Sequence, residues 1–481
     1  MNLKFFCLLC AMLACIFSSA QDKWDLRRCV YYAIENNISV KQADIQSRIA
    51  SLSVKLQRAG LYPNLNFSSS AGYNFGRSIN PATNEFQNDQ VLFNTYQLQS
   101  NVTLFNWFSQ RHAIEASKLD KQAADAAVDK ARDDIALNVA VAYLQTLLAH
   151  EQIEISNVQI QQTLSQLDLV QKRVNRGALP ELNLIEVQAQ LARDTATYIT
   201  AKSTFQQNLI QLKALLSLDM AASFDIETPD VSSIPVEPLT GLQPAYVYEM
   251  ALKNLPQQRA NQLRYQAALK NIQFAKASMY PTLSAFAGVG SSYSPRYPDQ
   301  SKTIVTQLPG FDTLNFVVQS SPGVYQPVLA PNLKASVPFA TFGKQVFDVT
   351  LGQRVGINLS VPIFNNRQLR TNWERSKLDA ESIQLQTRQD NLALQADIYN
   401  AYTNAVNAQQ RYLAAQKAVE ASQKALDFSQ KRYDAGLLSV FELITNQNNL
   451  TRAKLDVATA QYEHVFRMKL LEFYKGQGLK L

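Results

Sequence analysis

Four stretches of the chain alternate apolar and polar residues with a period of two. From Asn64 to Gly76, Leu65, Phe67, Ser69, Ala71, Tyr73 and Phe75 alternate with Asn64, Asn66, Ser68, Ser70, Gly72, Asn74 and Gly76. A strand there carries one mostly apolar, aromatic face and one small, polar face. Residues 95–105 repeat the pattern, with Tyr96, Leu98, Val102 and Leu104 set against Thr95, Gln97, Gln99, Asn101 and Thr103. Leu283, Ala285, Ala287, Val289 and Tyr293 form a third such face, with Phe286 interrupting the opposite one, and Val355, Ile357, Leu359, Val361 and Ile363 form a fourth. The alternation predicts a strand hairpin over about 64–105 and strands over about 282–293 and 347–363.

Between these segments the pattern turns helical. Residues 107–176 and 365–435 contain neither Gly nor Pro, and at 1.5 Å per residue each would make a helix of roughly 100 Å. Leu378, Leu385, Leu392, Tyr399, Val406 and Leu413 recur at seven-residue steps, the seam of a coiled coil. Shorter helices are predicted at about 38–59, 181–218, 256–278 and 440–475, so that two short helices end to end match one long one. Each long helix stops at a glycine, in Gly177-Ala178-Leu179-Pro180 and in Gly436-Leu437-Leu438-Ser439. Glycine just past a helix supplies the left-handed cap, and the chain reverses there.

The chain is written twice. Ala33, Asn36, Tyr62-Pro63, Leu65 and Gly72 recur 218 positions later as Ala251, Asn254, Tyr280-Pro281, Leu283 and Gly290. Ser117-Lys118-Leu119-Asp120, Lys172-Arg173 and Gly177 recur 259 positions later as Ser376-Lys377-Leu378-Asp379, Lys431-Arg432 and Gly436. The larger offset places an insertion between Gly290 and Val361. This divides the chain into a first repeat at 21–218, a linker at 219–245, a second repeat at 246–475 and a tail at 476–481.

Only 15 of 481 residues are Gly, which suits long helices, and the net charge of +7 is spread along the chain. With no basic patch, nucleic acid is not an expected partner. His112, His150 and His464 lie far apart, and no nucleophile elbow or phosphate loop occurs; neither an enzyme nor a cofactor is expected. Residues 1–20 resemble a secretory signal peptide, with Lys4, an apolar stretch from Phe5 to Phe17 and Ser18-Ser19-Ala20. Cys15 after Met12-Leu13-Ala14 leaves open a lipid-bearing cysteine instead. Cleavage at residue 20 would leave Cys29 alone, hence no internal disulfide. No later stretch offers about 18 consecutive apolar residues, so if the chain enters a membrane it does so as strands.

An antiparallel sheet with one wet face alternates in the same way as a lipid-facing one, and a periplasmic coiled-coil scaffold would account for the heptads though not for the alternation. In lipid, four strands cannot close, because transmembrane barrels begin at eight and each open-edge backbone group costs several kcal/mol. Several chains must then share one barrel.

Two repeats of strands and long helices, Tyr-Pro-x-Leu before the first strand and Lys-Arg-x-x-x-Gly at the helical turn resemble the TolC-like outer-membrane efflux family. The resemblance implies an α+β membrane protein: a homotrimer whose chains each lend four strands to a twelve-stranded β-barrel in outer-membrane lipid, continued by an antiparallel coiled-coil tunnel across the periplasm. It implies a passive exit duct for efflux or type I secretion, docked to a periplasmic adaptor (membrane fusion) protein and an inner-membrane pump. Residues 219–245 and the C-terminal stretch would form a belt, and loops 77–94 and 295–346 would face outside the cell, the second as an irregular, proline-rich loop. The adaptor would dock at the tips, Gly177, Ala178, Leu179, Gly436, Leu437, Leu438 and Ser439. The aperture would be lined by Tyr433, Glu442, Thr445, Asn183 and Glu186, with Thr445 standing where family members often carry a second acid.

Overall fold

The computed structural model describes residues 23–79, 86–88, 90–228, 234–295 and 297–477. The signal segment 1–20 with Cys15, Pro229 of the linker, part of the 77–94 loop and most of the tail lie outside them. Two compact units emerge, one from Met1–Val54, Glu115–Lys270 and Ser376–Leu481, the other from Lys55–Ile114 and Asn271–Arg375.

Eight helices carry most of the chain: α1 Leu26–Asn36, α2 Ile38–Ala59, α3 Ser109–Asn175, α4 Glu181–Leu216, α5 Pro244–Asn254, α6 Pro256–Ala277, α7 Gln368–Asp434 and α8 Val440–Glu472. The 67-residue lengths of α3 and α7 follow from the absence of Gly and Pro within them. No described helix is long and apolar enough to cross a membrane. Asn37 separates α1 from α2: its side chain donates to the Leu215 carbonyl and accepts from the Ser39 amide, ending one helix and starting the next. Pro256 makes the equivalent break in the second repeat, since its ring cannot continue an interior turn.

The first unit holds its helices together by three apolar clusters. One gathers Ile135, Val139, Tyr143 and Leu147 of α3 with Leu209, Leu212 and Leu216 of α4. Phe224 and Ile226 of the linker close over it, and the Tyr143 hydroxyl donates to the carbonyls of Trp24 and Glu227. A second joins Leu242, Val247 and Ala251 to Ile398, Ala401 and Ala405 of α7 and to Met468 and Leu471 of α8. The linker is thus tied down at both ends, and Glu237 and Glu472 extend the ties, Glu472 accepting from the Glu237 amide and pairing with Lys469.

The heptad stripe of α7 is not used in these clusters. Leu378 is 66% exposed and Leu392 62%, while Ala380, Ile398, Ala401, Ala405 and Ala408 are buried. The small residues let α7 approach its own chain closely, and the leucines point the other way. α2 does the same with Ile38, Ile45, Ile49, Leu52 and Leu56, all exposed.

In the second unit β1 Asn64–Asn74, β4 Val91–Phe105, β5 Thr282–Tyr293 and β8 Gly352–Ser360 form one antiparallel sheet in the order β1-β4-β5-β8. Register aligns the faces: Phe67 opposes Leu98, Leu98 opposes Val289, Leu283 opposes Leu359 and Ala285 opposes Ile357. The apolar residues of all four strands therefore share one face. Phe342 packs on Tyr96 and Tyr293 at one end of this face, and no other layer of the described residues covers it: Ile357 is 68% exposed and Val355 86%. Strands β1 and β8 are free edges among the described residues.

Two expectations fail in this unit. Residues 295–346 are not an irregular loop. They contain β6 Ile304–Ser321 and β7 Val324–Ser336, paired in a long two-stranded ribbon. Pro309 falls where the pairing slips between Gln307 and Phe311, and Pro327 and Pro331, opposite Val317 and Phe311, sit on a strand that has an open edge, where proline is tolerated. Pro322 and Gly323, at φ +88°, make the turn at its end. Nor does the last strand begin at 347. Residues 342–349 form a helical turn closed by Thr350, whose hydroxyl donates to the carbonyls of Gln345 and Ser292. The smaller ribbon of β2 Arg77–Ile79 and β3 Phe86–Asn88 occupies part of the first loop.

Candidate functional site: a strand wall and a helical tip

The second face of the four-stranded sheet is polar and thin. Asn66, Gln99, Gly288 and Arg354 lie in one row across it, and Ser68, Gln97, Gly290 and Gly352 in the next. Ser70 and Thr95 share a 2.6 Å hydroxyl contact across strands, and Gln97 donates to Gln99 at 3.2 Å. Two rings interrupt this face, and each lies over a glycine. Phe286 crosses Gly356, where an added Cβ would come within 2.7 Å of the ring, and Phe93 crosses Gly72, at 3.0 Å. The wall can bear one wet, hydrogen-bonding surface and one apolar surface at once, as a barrel between lipid and water requires.

Each strand-to-long-helix junction carries two consecutive left-handed residues that are not glycine. They are Trp107 and Phe108 at φ +54° and +63°, and Asn366 and Arg367 at +51° and +62°. The pairs are 259 positions apart, so both repeats make the same turn. Left-handed backbone costs an L residue about 1–2 kcal/mol, and ring packing offsets it in the first repeat. Trp107 lies 5.1 Å from Tyr280 and 5.4 Å from Phe105, which also meets Phe108. Aromatic rings of this kind suit a membrane–water boundary. Residue types alone gave no signal of this strained pair.

At the other extreme of α3 and α7 lies the helical tip, in the first unit. Gly177 at φ +71° and Gly436 at φ +74° cap the two helices. The Gly177 amide donates to Val174 and the Ala178 amide to Arg173, and the second repeat copies this with Gly436 to Tyr433 and Leu437 to Arg432. Both are Schellman turns. α8 then starts with a capping box, the Glu442 amide donating to Ser439 Oγ and the Ser439 amide to the Glu442 carboxylate.

Among the sequence-predicted tip residues, Leu179 and Leu438 are half-buried against a cluster of Val170, Val187, Tyr433, Val440, Leu443 and Ile444. Leu437 instead is 70% exposed, and Phe441, one turn on, is 64% exposed. Leu182 and Ile185 add exposed apolar surface at the start of α4. Leu182 is the repeat counterpart of Phe441; comparing the copies beyond the turn would have found both. Gly177, Ala178, Gly436 and Ser439 are exposed.

Of the proposed aperture residues, Tyr433 is buried between the repeats, with the Arg173 guanidinium 5.4 Å from its ring centre. Burial pushes its phenol up; Arg173 pulls it down and Asp434 pushes it up further. Glu442 and Thr445 are exposed, Asn183 and Glu186 half-buried, and the Thr445 hydroxyl donates to the Phe441 carbonyl. A groove of about 590 Å³ runs beside this cluster, lined by Gln162, Gln166, Arg173, Leu426 and Tyr433 among others. Further along the same helices, Asp194 accepts from Thr163 and Gln190, and Gln190 donates to Asn448, joining α3, α4 and α8.

The chain matches the outer membrane efflux protein family over residues 29–217 and 247–466. It is 26% identical over 301 residues to the alkaline protease secretion protein AprF of Pseudomonas aeruginosa, covering 58% of this chain and 60% of AprF. It spans between 37% and 66% of the length of the curated relatives it matches. Among solved structures, CusC, studied for folding and transmembrane channel formation, gives a TM-score of 0.75 at 16% identity over 94% of this chain and 92% of CusC. The outer membrane protein VceC of Vibrio cholerae gives 0.69 at 16% identity over 95% of this chain and 97% of VceC. The two matched segments fall one in each repeat and together take in the strands and tips described above and most of every helix: the chain belongs to the outer membrane efflux protein family.

Proposed function

We propose that this chain is the outer-membrane channel of a tripartite efflux or type I secretion system, a passive duct completed by three copies. The observation that carries the reading is the four-stranded sheet with an uncovered apolar face, a polar opposite face and two free edges. Lipid can cover the first, water the second, and only sister strands can satisfy the third. The exposed leucine stripe of α7 supports the same assembly, because in a coiled coil such a stripe meets a partner helix. A scaffold without a pore would leave the sheet unexplained. The name of AprF supports an export role, without specifying this chain's cargo.

At the tips, Leu437, Phe441, Leu182 and Ile185 offer an adaptor an apolar landing surface flanked by Gly177, Ala178, Gly436 and Ser439. Leu179 and Leu438 hold the tip together from inside. Tyr433, Glu442, Thr445, Asn183 and Glu186 line the aperture in this reading. Threefold repetition would bring three Glu442 carboxylates close, each closing a helix start in its own chain. An inner-membrane pump supplies the energy, since the duct itself has no chemistry to perform.

The test is ion conductance. Protein extracted from outer membranes in detergent and added to planar bilayers should give discrete, lasting conductance steps. An intact oligomer that inserts and stays silent would overturn the duct.

A further inference from the structure

We propose that the β6–β7 ribbon packs through its apolar face against the same ribbon of sister copies, binding the chains together beyond the barrel strands. The inference rests on the multi-chain barrel proposed above and adds a contact that the barrel does not require.

Pairing sorts the ribbon into two faces. Val305, Phe311 and Val317 of β6 share one with Tyr325, Leu329 and Leu333 of β7, all six more than half exposed, and Gln307, Thr313 and Gln319 of β6 stand between them. Pro327, Pro331 and Ala335 fill the remaining β7 positions of that face. The opposite face is the more polar, with Thr306, Asp312, Gln326, Lys334 and Ser336 beside Ile304, Val318 and Ala330. A two-stranded ribbon with an uncovered apolar face is at best marginal alone in water. Something covers it.

Lipid is a poor cover. Both edges of a two-stranded ribbon are open, and hydrocarbon leaves their amides and carbonyls unpaired. Sister copies fit better, for two reasons. The ribbon leaves the sheet after β5 and returns through the helical turn at 342–349 to β8, which is a free edge among the described residues. That edge is where the next copy must join, so the neighbouring ribbons are held at high effective concentration. Its root is also fixed: Lys344 pairs with Asp299 at 2.7 Å, the Asp299 amide donates to Pro338, and the Ala340 amide to Tyr297. Charge does not oppose the contact, since Asp312 and Lys334, of opposite sign, are the only charged residues between 304 and 336.

The full-length chain is expressed with the photo-crosslinker benzoylphenylalanine at Leu329, at Tyr325, where one aromatic ring replaces another, or at Asn332 of β7 as the opposite-face control. Membranes are irradiated, and native mass spectrometry counts the chains in the unlabelled assembly. We expect covalent chain dimers and trimers from Leu329 and Tyr325, at least fivefold more than from Asn332. Lipid adducts, adducts to a different protein or no adduct from an assembly of several chains would overturn the ribbon contact and leave the shared barrel standing. A single-chain mass would overturn the barrel reading and the ribbon contact with it.

Discussion

Placing arginine on the uncovered face of the sheet gives a quantitative test of where that face sits. Ile357 lies one residue from the middle of β8, roughly 3 Å from it, opposite Ala285 and 68% exposed in the single chain. If the face meets hydrocarbon, Ile357→Arg puts a cation close to the bilayer midplane and costs about 2–4 kcal/mol per chain. Asn358→Arg, one residue on and facing the other way, should cost less than about 1 kcal/mol, because water reaches that side. If the sheet stood in water, both substitutions would fall within about 0.5 kcal/mol of zero, as exposed positions do. The assay is urea unfolding in lipid vesicles, followed by the fluorescence of Trp24, Trp107 and Trp373. A loss at 357 no larger than that at 358 would refute the assignment of faces.

Other expectations follow from the charges and the tip. Burial, then Asp129 and Asp134, raises Asp133 to about 6; a carboxyl raised on folding costs stability once pH climbs past its unfolded value toward 6 and beyond. A carboxyl raised that far corresponds to about 3 kcal/mol, reduced by solvent screening at this half-buried site to about 1 kcal/mol. Asp133→Asn should stabilise by that amount at pH 8 and by nothing at pH 4 in denaturant melts, and equal melts at pH 8 would sink the idea. Hydrogen bonds from Lys344 and Ser301 hold Asp299 down at about 2, so its tie to the ribbon root persists above pH 4 and weakens as pH falls through about 2. Lys344→Met should make the root sensitive to limited proteolysis at neutral pH, and unchanged cleavage would count against the tie. Leu437→Asp combined with Phe441→Asp should abolish drug or protein export while leaving oligomer assembly intact; full export would show that the adaptor lands elsewhere. Glu442→Gln keeps the capping hydrogen bonds yet removes the charge, so reduced cation selectivity in bilayers is expected, and unaltered selectivity would remove Glu442 from the aperture.

The parts legible in the sequence were those set by local rules. Long stretches without Gly or Pro are α3 and α7, alternating residues are the four sheet strands, and Gly177 and Gly436 cap where left-handed backbone was needed. The β6–β7 ribbon was illegible because its prolines signal loop, whereas Pro309 falls in a bulge and Pro327 and Pro331 sit on an edge strand that tolerates proline. The heptad of α7 was visible, but a heptad does not say whose helix covers it; only the burial of Ala401, Ala405 and Ala408 shows that the chain's own contacts use the other side. At the tip, adjacent leucines of like chemistry part ways because the Schellman turn draws Leu438 inward and leaves Leu437 out. Ser439-x-x-Glu442 was a readable capping signature, and it gives Glu442 a structural task beside its proposed place in the aperture.

The central claim is that sister chains close this sheet within the membrane, and cysteine scanning across its edges tests it most directly. Cysteine at Ser68 of β1 is combined in turn with cysteine at Arg354, Gly356 or Asn358 of β8, and outer membranes are oxidised before denaturing electrophoresis. Cys29 is buried and its thiol is pushed up to about 12, so it stays silent. The account predicts that at least one pairing yields covalent ladders ending at three chains. Single chains from every pairing would contradict it.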